Sequence, residues 1–151
     1  MTRLTALLPL LIIAALPSQA QDIKPLIDSE SFVFVAQTVE PQSGGTRHLN
    51  DQIYSLQVKR DSIVCGLPYF GHTNSAGLDN ENVLQFRSAK FKYTVKPGRK
   101  EGWKVTIQPK ESPEISEMLL TVSPAGTATL QVFFINRDPI SYSGGINAPA
   151  N

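Results

Sequence analysis

Few residues of this chain could generate a nucleophile. Cys65 is the single cysteine, and His72 follows it by seven positions. A thiol becomes nucleophilic when a histidine or another cationic neighbour lowers its pKa. However, Cys65 ends the apolar stretch Ser62–Val64, and free cysteine is among the most buried residue types. The sequence therefore favours a buried structural cysteine, and we predict no catalytic residues.

Ligands for a metal ion are also few. The two histidines, His48 and His72, have Asp51 and Asp79 near them in sequence. No H-x-H, H-E-x-x-H or C-x-x-C spacing occurs, and the acidic residues around Asp79 lack the order of a calcium-binding loop. We therefore expect no metal site and no cofactor, and we interpret both histidines as solvated loop residues.

A basic segment over residues 90–104 is the strongest charge asymmetry in the chain. Its one acid is Glu101, and its six cations are Lys90, Lys92, Lys96, Arg99, Lys100 and Lys104. Such a surface can bind an anionic glycan, a lipid headgroup or a phosphate. Its strict alternation is also typical of a solvated sheet face on which lysines discourage edge pairing, and this second interpretation is favoured.

The string Gly-Leu-Pro-Tyr-Phe-Gly at residues 66–71 combines two aromatic side chains with residues that restrict the backbone. One interpretation is a rigid corner that presents Tyr69 and Phe70 to a ligand, together with Tyr142. The other is a turn whose aromatics close one end of the core, which is favoured because aromatic side chains stabilise mainly through buried area. If the protein has a recognition surface, we expect it at these three aromatics first and at the basic segment second.

The elements that position these residues are predicted to be short antiparallel strands. Polar and apolar residues alternate on both sides of Pro97-Gly98, and a second hairpin surrounds residues 124–126. We expect one all-β domain over residues 21–144, an antiparallel sandwich or a small barrel with at most one short N-terminal helix, and then a frayed tail over residues 145–151. The core candidates are Phe32, Phe34, Leu56, Val58, Phe86, Phe91, Tyr93, Trp103, Val105, Leu130 and Val132.

Three strings of the sequence carry a resemblance to a known family. They are Leu67-Pro68-Tyr69-Phe70-Gly71, Gly102-Trp103-Lys104-Val105, and Asn136-Arg137 followed by Ile140-Ser141-Tyr142-Ser143-Gly144. In order and spacing, from about Phe32 to Gly144, the chain resembles the bacterial exported family called domain of unknown function 4251. The resemblance implies a β domain of the periplasm or cell envelope. It implies no catalytic residues, because the family has no agreed activity.

The first twenty residues predict export. Arg3 precedes the apolar run Leu7–Leu16, and Ser18 and Ala20 supply the small residues of a signal-peptidase site. The run is about half as long as the roughly twenty residues that cross a bilayer, so residues 1–20 are predicted to be a signal peptide. Gln21 follows the site, where lipid attachment would need a cysteine. We therefore expect a periplasmic or secreted protein that is not lipid-anchored.

Charge narrows the range of partners. The chain has 14 Lys plus Arg and 13 Asp plus Glu. Loss of Arg3 with the signal leaves 13 of each, and a neutral chain is a poor candidate for nucleic-acid binding. We expect a non-catalytic exported module that binds a small molecule, a glycan or an envelope protein, with no transmembrane segment in the mature chain. The alternatives are a hydrolase-like enzyme whose site is assembled from distant loops, and a purely structural or interaction protein. The oligomeric state is left open.

Overall fold

Polar and apolar residues alternate along most of the chain, and these segments form strands. The computed structural model describes residues 22–50, 53–70 and 83–150, and within them one helix is followed by ten strands. The helix is α1 (Ile23–Asp28). The strands are β1 (Phe32–Pro41), β2 (Arg47–His48), β3 (Tyr54–Lys59), β4 (Ser62–Pro68), β5 (Val83–Ser88), β6 (Phe91–Pro97), β7 (Trp103–Pro109), β8 (Ile115–Val122), β9 (Thr127–Phe134) and β10 (Ile140–Asn147).

The strands form one antiparallel sheet in the order β5-β4-β3-β1-β10-β9-β8-β7-β6, with β2 paired to β1. Twist curls this sheet into a nearly closed barrel of a single domain. The two edge strands, β5 and β6, are consecutive in the chain, and Glu111 lies at their junction, where its carboxylate accepts a 2.7 Å hydrogen bond from the Ala89 N–H. The predicted all-β antiparallel fold with one short helix is confirmed, and it is the barrel form.

Inward-facing side chains fill the barrel. Seven of the predicted core residues are fully buried: Phe32, Phe34, Leu56, Val58, Val105, Leu130 and Val132. The other four, Phe86, Phe91, Tyr93 and Trp103, are only half-buried and pack against that core. Three of these four lie on β5 or β6, and an edge strand has a neighbour on one side only, which leaves its side chains less covered.

Helix α1 packs its apolar side against the barrel. Asp22 caps it by accepting a hydrogen bond from the Lys24 N–H, and Ile23 and Ile27 are buried. The hydroxyl of Tyr93 on β6 donates a 2.8 Å hydrogen bond to the Ile27 carbonyl. The helix is thereby tied to an edge strand. Within the described ranges, no helix has the length and apolar character needed to cross a membrane.

The last strand is longer than predicted. The tail was expected to begin at residue 145, but β10 continues to Asn147, which pairs with Val33. Gly144 lies opposite Ala36, beside a register shift in β1, and a Cβ atom on Gly144 would come within 1.9 Å of the Val35 carbonyl oxygen. Gly144 therefore marks a close approach of β1 and β10, and the pairing of the two strands continues past it to Asn147.

Candidate functional site

The aromatic corner after β4 is packed into the barrel. Tyr69 and Tyr142 are 3% and 0% exposed, so the interpretation in which the corner presents its aromatics to solvent is wrong for both, and the favoured interpretation of buried aromatics fits them. The Tyr142 hydroxyl donates a 2.7 Å hydrogen bond to the Pro68 carbonyl oxygen. The Tyr69 hydroxyl donates a 3.1 Å hydrogen bond to the Asp138 carbonyl oxygen, and its ring meets Phe134 edge to face, with centroids 5.2 Å apart. The two phenols thus tie the end of β4 to the β9–β10 connection and to β10.

Two arginines cover rings at this corner. The Arg137 guanidinium lies 5.3 Å from the centre of the Tyr69 ring and forms a 3.1 Å ion pair with Glu114. The Arg47 guanidinium lies 4.8 Å from the centre of the Phe70 ring. These contacts match the interpretation in which the aromatics close one end of the core. A ligand-binding role for the three aromatics stays a prediction, and half-buried Phe70 is the most accessible of them.

Two of the strings that carry the family resemblance meet at this corner. Pro68 and Tyr69 belong to the first string, and Arg137 and Tyr142 belong to the third. A buried phenol needs a hydrogen-bond acceptor, and main-chain carbonyls of or beside the opposite string supply one to each tyrosine. The shared residues therefore serve packing here. The second string lies elsewhere, at the start of β7.

The cysteine considered above as a nucleophile is buried in β4. Cys65 is 3% exposed, and burial raises the pKa of its thiol well above the ordinary value. Its cross-strand neighbours are Leu56 and Phe86, neither of which is a base. His72, the candidate base, lies outside the described residues.

We expect the Cys65 thiol to resist alkylation in the folded protein. With the thiolate disfavoured and the side chain enclosed, labelling by iodoacetamide at pH 8 should require opening of the barrel. Intact-mass spectrometry should show at least about a hundredfold slower labelling in buffer than in 6 M guanidinium. Labelling of the folded protein at the rate of a free thiol would contradict this prediction and make Cys65 a candidate nucleophile again.

The remaining metal-ligand candidates do not assemble a site among the described residues. His48 is exposed on β2, while His72, Asp51 and Asp79 lie outside those residues, as does Gly71 of the aromatic string. Across residues 22–50, 53–70 and 83–150, no group of three or more His, Cys, Asp or Glu side chains is placed to hold a metal ion.

The basic segment forms the β6–β7 hairpin, and Lys90 lies apart from the cations near the turn. Lys96 lies directly opposite Lys104 in the antiparallel register, whereas Lys92 faces Gln108. Lys90, just before β6, lies about 20 Å along the strand from Lys96, given the rise per strand residue. Lys90 instead shares a surface depression with Arg60, Glu30 and Lys110.

A short helical turn connects β6 to β7 and carries the remaining two cations. Lys100 and Glu101 both have left-handed backbone conformations, with φ of 50° and 63°, which are uncommon for residues other than glycine. A Cβ atom on Gly102 would come within 2.3 Å of the Val122 carbonyl oxygen. The turn is thus pressed against the end of β8.

A groove of about 460 Å³ opens beside this turn, over the outer faces of β8, β9 and β10. Arg99 and Lys100 line one side of it. Thr121 is paired with Thr129, and Thr129 with Ser143, so three hydroxyl side chains form a row across adjacent strands. All three are exposed. Among the described residues that line this groove, none is a carboxylate.

Lys104 extends the hydroxyl row, because its cross-strand partner on β8 is Thr121. Lys96, Lys104, Thr121, Thr129 and Ser143 therefore follow one another across five strands. Within the ranges that the structure describes, none of the six cations of the basic segment forms an ion pair. We call Arg99 and Lys100, the Lys96–Lys104 pair and the hydroxyl row the basic groove.

Sequence reasoning found the cations of the basic groove but missed its hydroxyl side chains. Thr121, Thr129 and Ser143 stand on three strands that are joined only by pairing register. The available signal was their outward position in the alternation of each strand, but alternation alone does not specify which strands are neighbours.

The family described as domain of unknown function (DUF4251) matches residues 16–146 of the sequence. A crystal structure of a DUF4251 family protein from Bacteroides eggerthii DSM 20697 is similar to the barrel, with 14% identity, a TM-score of 0.63, and coverage of 84% of this chain and 85% of that chain. No curated protein matches the chain. The sequence match spans most of the chain, and the chain therefore belongs to the DUF4251 family.

Proposed function

We propose that the protein is an exported, non-catalytic module that binds an anionic ligand in the basic groove. The observation that carries this proposal is the placement of Arg99 and Lys100 on a groove whose described lining holds no carboxylate. The export half depends on the signal-peptide pattern of residues 1–20, and we place the protein in the periplasm or outside the cell.

The Lys96–Lys104 pair supports a binding role over a merely solvated face. Like charges directly opposite each other in an antiparallel pair are destabilising. Lysines that only discourage edge pairing do not need this arrangement, and the neighbouring cross-strand pairs of the same hairpin, Thr94–Thr106 and Lys92–Gln108, avoid it. An anion bound beside the pair would relieve the repulsion.

Between the two surfaces expected from the sequence, the burial of Tyr69 and Tyr142 favours the basic segment. A recognition surface needs side chains that a ligand can reach. The hydroxyls of the two buried tyrosines already donate hydrogen bonds to main-chain carbonyl oxygens. Arg99, Lys100 and Lys104 are exposed. The ligand is therefore expected to carry negative charge, whether it is a glycan, a small molecule or a segment of an envelope protein.

The test is binding of two polyanions, dextran sulfate and polyphosphate, with neutral dextran as the uncharged probe. We expect the mature protein to bind both polyanions, with affinity that falls as NaCl rises from 50 to 500 mM, because salt screens exposed charges. Arg99→Gln/Lys100→Gln should weaken both affinities about tenfold, at up to about 1 kcal/mol per exposed charge.

The matched control removes two exposed cations elsewhere. Lys59→Gln/Arg87→Gln makes the same change in net charge on β3 and β5, and it should change affinity less than about twofold. Equal losses in the two double variants would mean that net charge alone governs binding. That result, or the absence of polyanion binding by the unaltered protein, would contradict the proposal.

A further inference from the structure

We infer that the anion bound in the basic groove is carried on a sugar, so that the ligand class is an acidic glycan. This inference rests on the proposed function and adds the part of the ligand that the hydroxyl row contacts. Cations alone select negative charge and do not distinguish a sulfated or carboxylated sugar from a phosphate chain or an anionic lipid. The discrimination must come from the other groups in the groove.

The hydroxyl row has the chemistry that sugar hydroxyls require. Each Ser or Thr hydroxyl both donates and accepts a hydrogen bond, as a sugar hydroxyl does, whereas a phosphate group needs donors. Within the described residues, Thr121, Thr129 and Ser143 make no side-chain hydrogen bond, so all three are available. Strands lie about 4.8 Å apart, so the row spans about 10 Å of surface.

Part of the groove lining is apolar. Exposed Pro124 and the main chain of Gly144 line it, whereas Val122 and Ala128 point into the core. The carbon-bound hydrogens of a sugar ring pack on such a surface, whereas a polyphosphate chain has no apolar face to bury.

The row and the cations stand at different places within one site. Arg99 and Lys100 occupy one side of the groove, Lys104 extends the row at β7, and the hydroxyls continue from β8 to β10. A glycan lying along the row would place its acidic substituents beside the cations at one end and its ring hydroxyls on Thr129 and Ser143. An anionic membrane would be recognised through the exposed cations alone and would not require the hydroxyl row.

The test removes two hydroxyls without changing charge. Thr121→Val/Thr129→Val keeps branched side chains that suit a strand. It should weaken dextran sulfate binding about tenfold, because two hydrogen bonds to the sugar are lost, and should leave polyphosphate binding within about twofold. The control Thr94→Val/Thr106→Val alters another directly opposed threonine pair, on β6 and β7 outside the groove, and should leave both affinities unchanged. Thermal melts verify that each variant is folded.

The outcomes separate this inference from the proposed function. Equal loss of dextran sulfate and polyphosphate binding in Thr121→Val/Thr129→Val, or no loss of either, would overturn the glycan assignment while the anion-binding function stands. Tighter binding to vesicles of phosphatidylglycerol than to dextran sulfate would replace the glycan with a membrane surface. Failure of the unaltered protein to bind any polyanion would overturn the proposed function itself.

Discussion

Gly144→Ala is expected to destabilise the barrel by about 3 kcal/mol or more. The added Cβ would stand 1.9 Å from the Val35 carbonyl oxygen and 3.1 Å from the Ala36 Cα. Both are main-chain atoms of β1, so no flexible side chain can move aside. Relief requires β1 and β10 to separate at the bulge. Denaturant unfolding should report the loss, and the melting temperature should fall by roughly 10 °C.

The neighbouring glycine provides the control. A Cβ on Gly145 would meet only the Gly126 carbonyl oxygen, at an ordinary 3.5 Å. Alanine normally stabilises a strand interior by about 0.5–1 kcal/mol relative to glycine, so Gly145→Ala should be neutral or stabilising. If the two alanine variants unfold alike, the close approach of β1 and β10 is wrong.

Tyr142→Ala is expected to cost about 3–5 kcal/mol, because it empties a fully buried aromatic site. Tyr142→Phe keeps the ring and removes only the hydroxyl that bonds the Pro68 carbonyl oxygen. That variant should cost about 1–2 kcal/mol, since a buried acceptor loses its partner. Urea unfolding of the two variants separates the packing and hydrogen-bond contributions.

Tyr54→Phe is the matched control for the phenylalanine variant. Tyr54 is half-buried on β3, and within the described residues its hydroxyl has no hydrogen-bond partner. Its loss should change stability by less than about 0.5 kcal/mol. Should Tyr142→Phe unfold at the wild-type urea concentration and yet lose polyanion binding, Tyr142 would be a binding residue as first expected from the sequence.

The fold class could be predicted from sequence because its signals are local. The alternation on either side of Pro97-Gly98 lies within about fifteen residues, and it gave the β6–β7 hairpin and its solvent-facing lysines correctly. The half-burial of Phe91 and Tyr93 could not be predicted in this way. It depends on which strands lie at the edges of the sheet, and the alternation within one strand does not indicate the strand order.

The candidate site was less predictable because its contacts are distant in sequence. Tyr142 and its acceptor are 74 residues apart, and Tyr69 and its acceptor are 69 residues apart. Both acceptors are main-chain carbonyls, which no residue type reveals. The cations of the basic turn were visible as residue types, but the left-handed conformations of Lys100 and Glu101 and the hydroxyl row beside them arise from the tertiary structure.

The position of β1 in the sheet has a consequence for the order of folding. Strands β3–β5 and β6–β10 are two series of hairpins that can form from nearby residues, and β1 joins them by pairing with β3 on one side and β10 on the other. Pairing of Phe34 with Ile146 closes a loop of chain that contains almost the whole domain. Closing such a long loop is a slow and entropically costly part of folding. The sheet is therefore completed only when the last strand is available, so a chain still emerging from the ribosome has not yet formed the native barrel. The export that we propose would therefore bring the chain to a secretion channel before the barrel has formed.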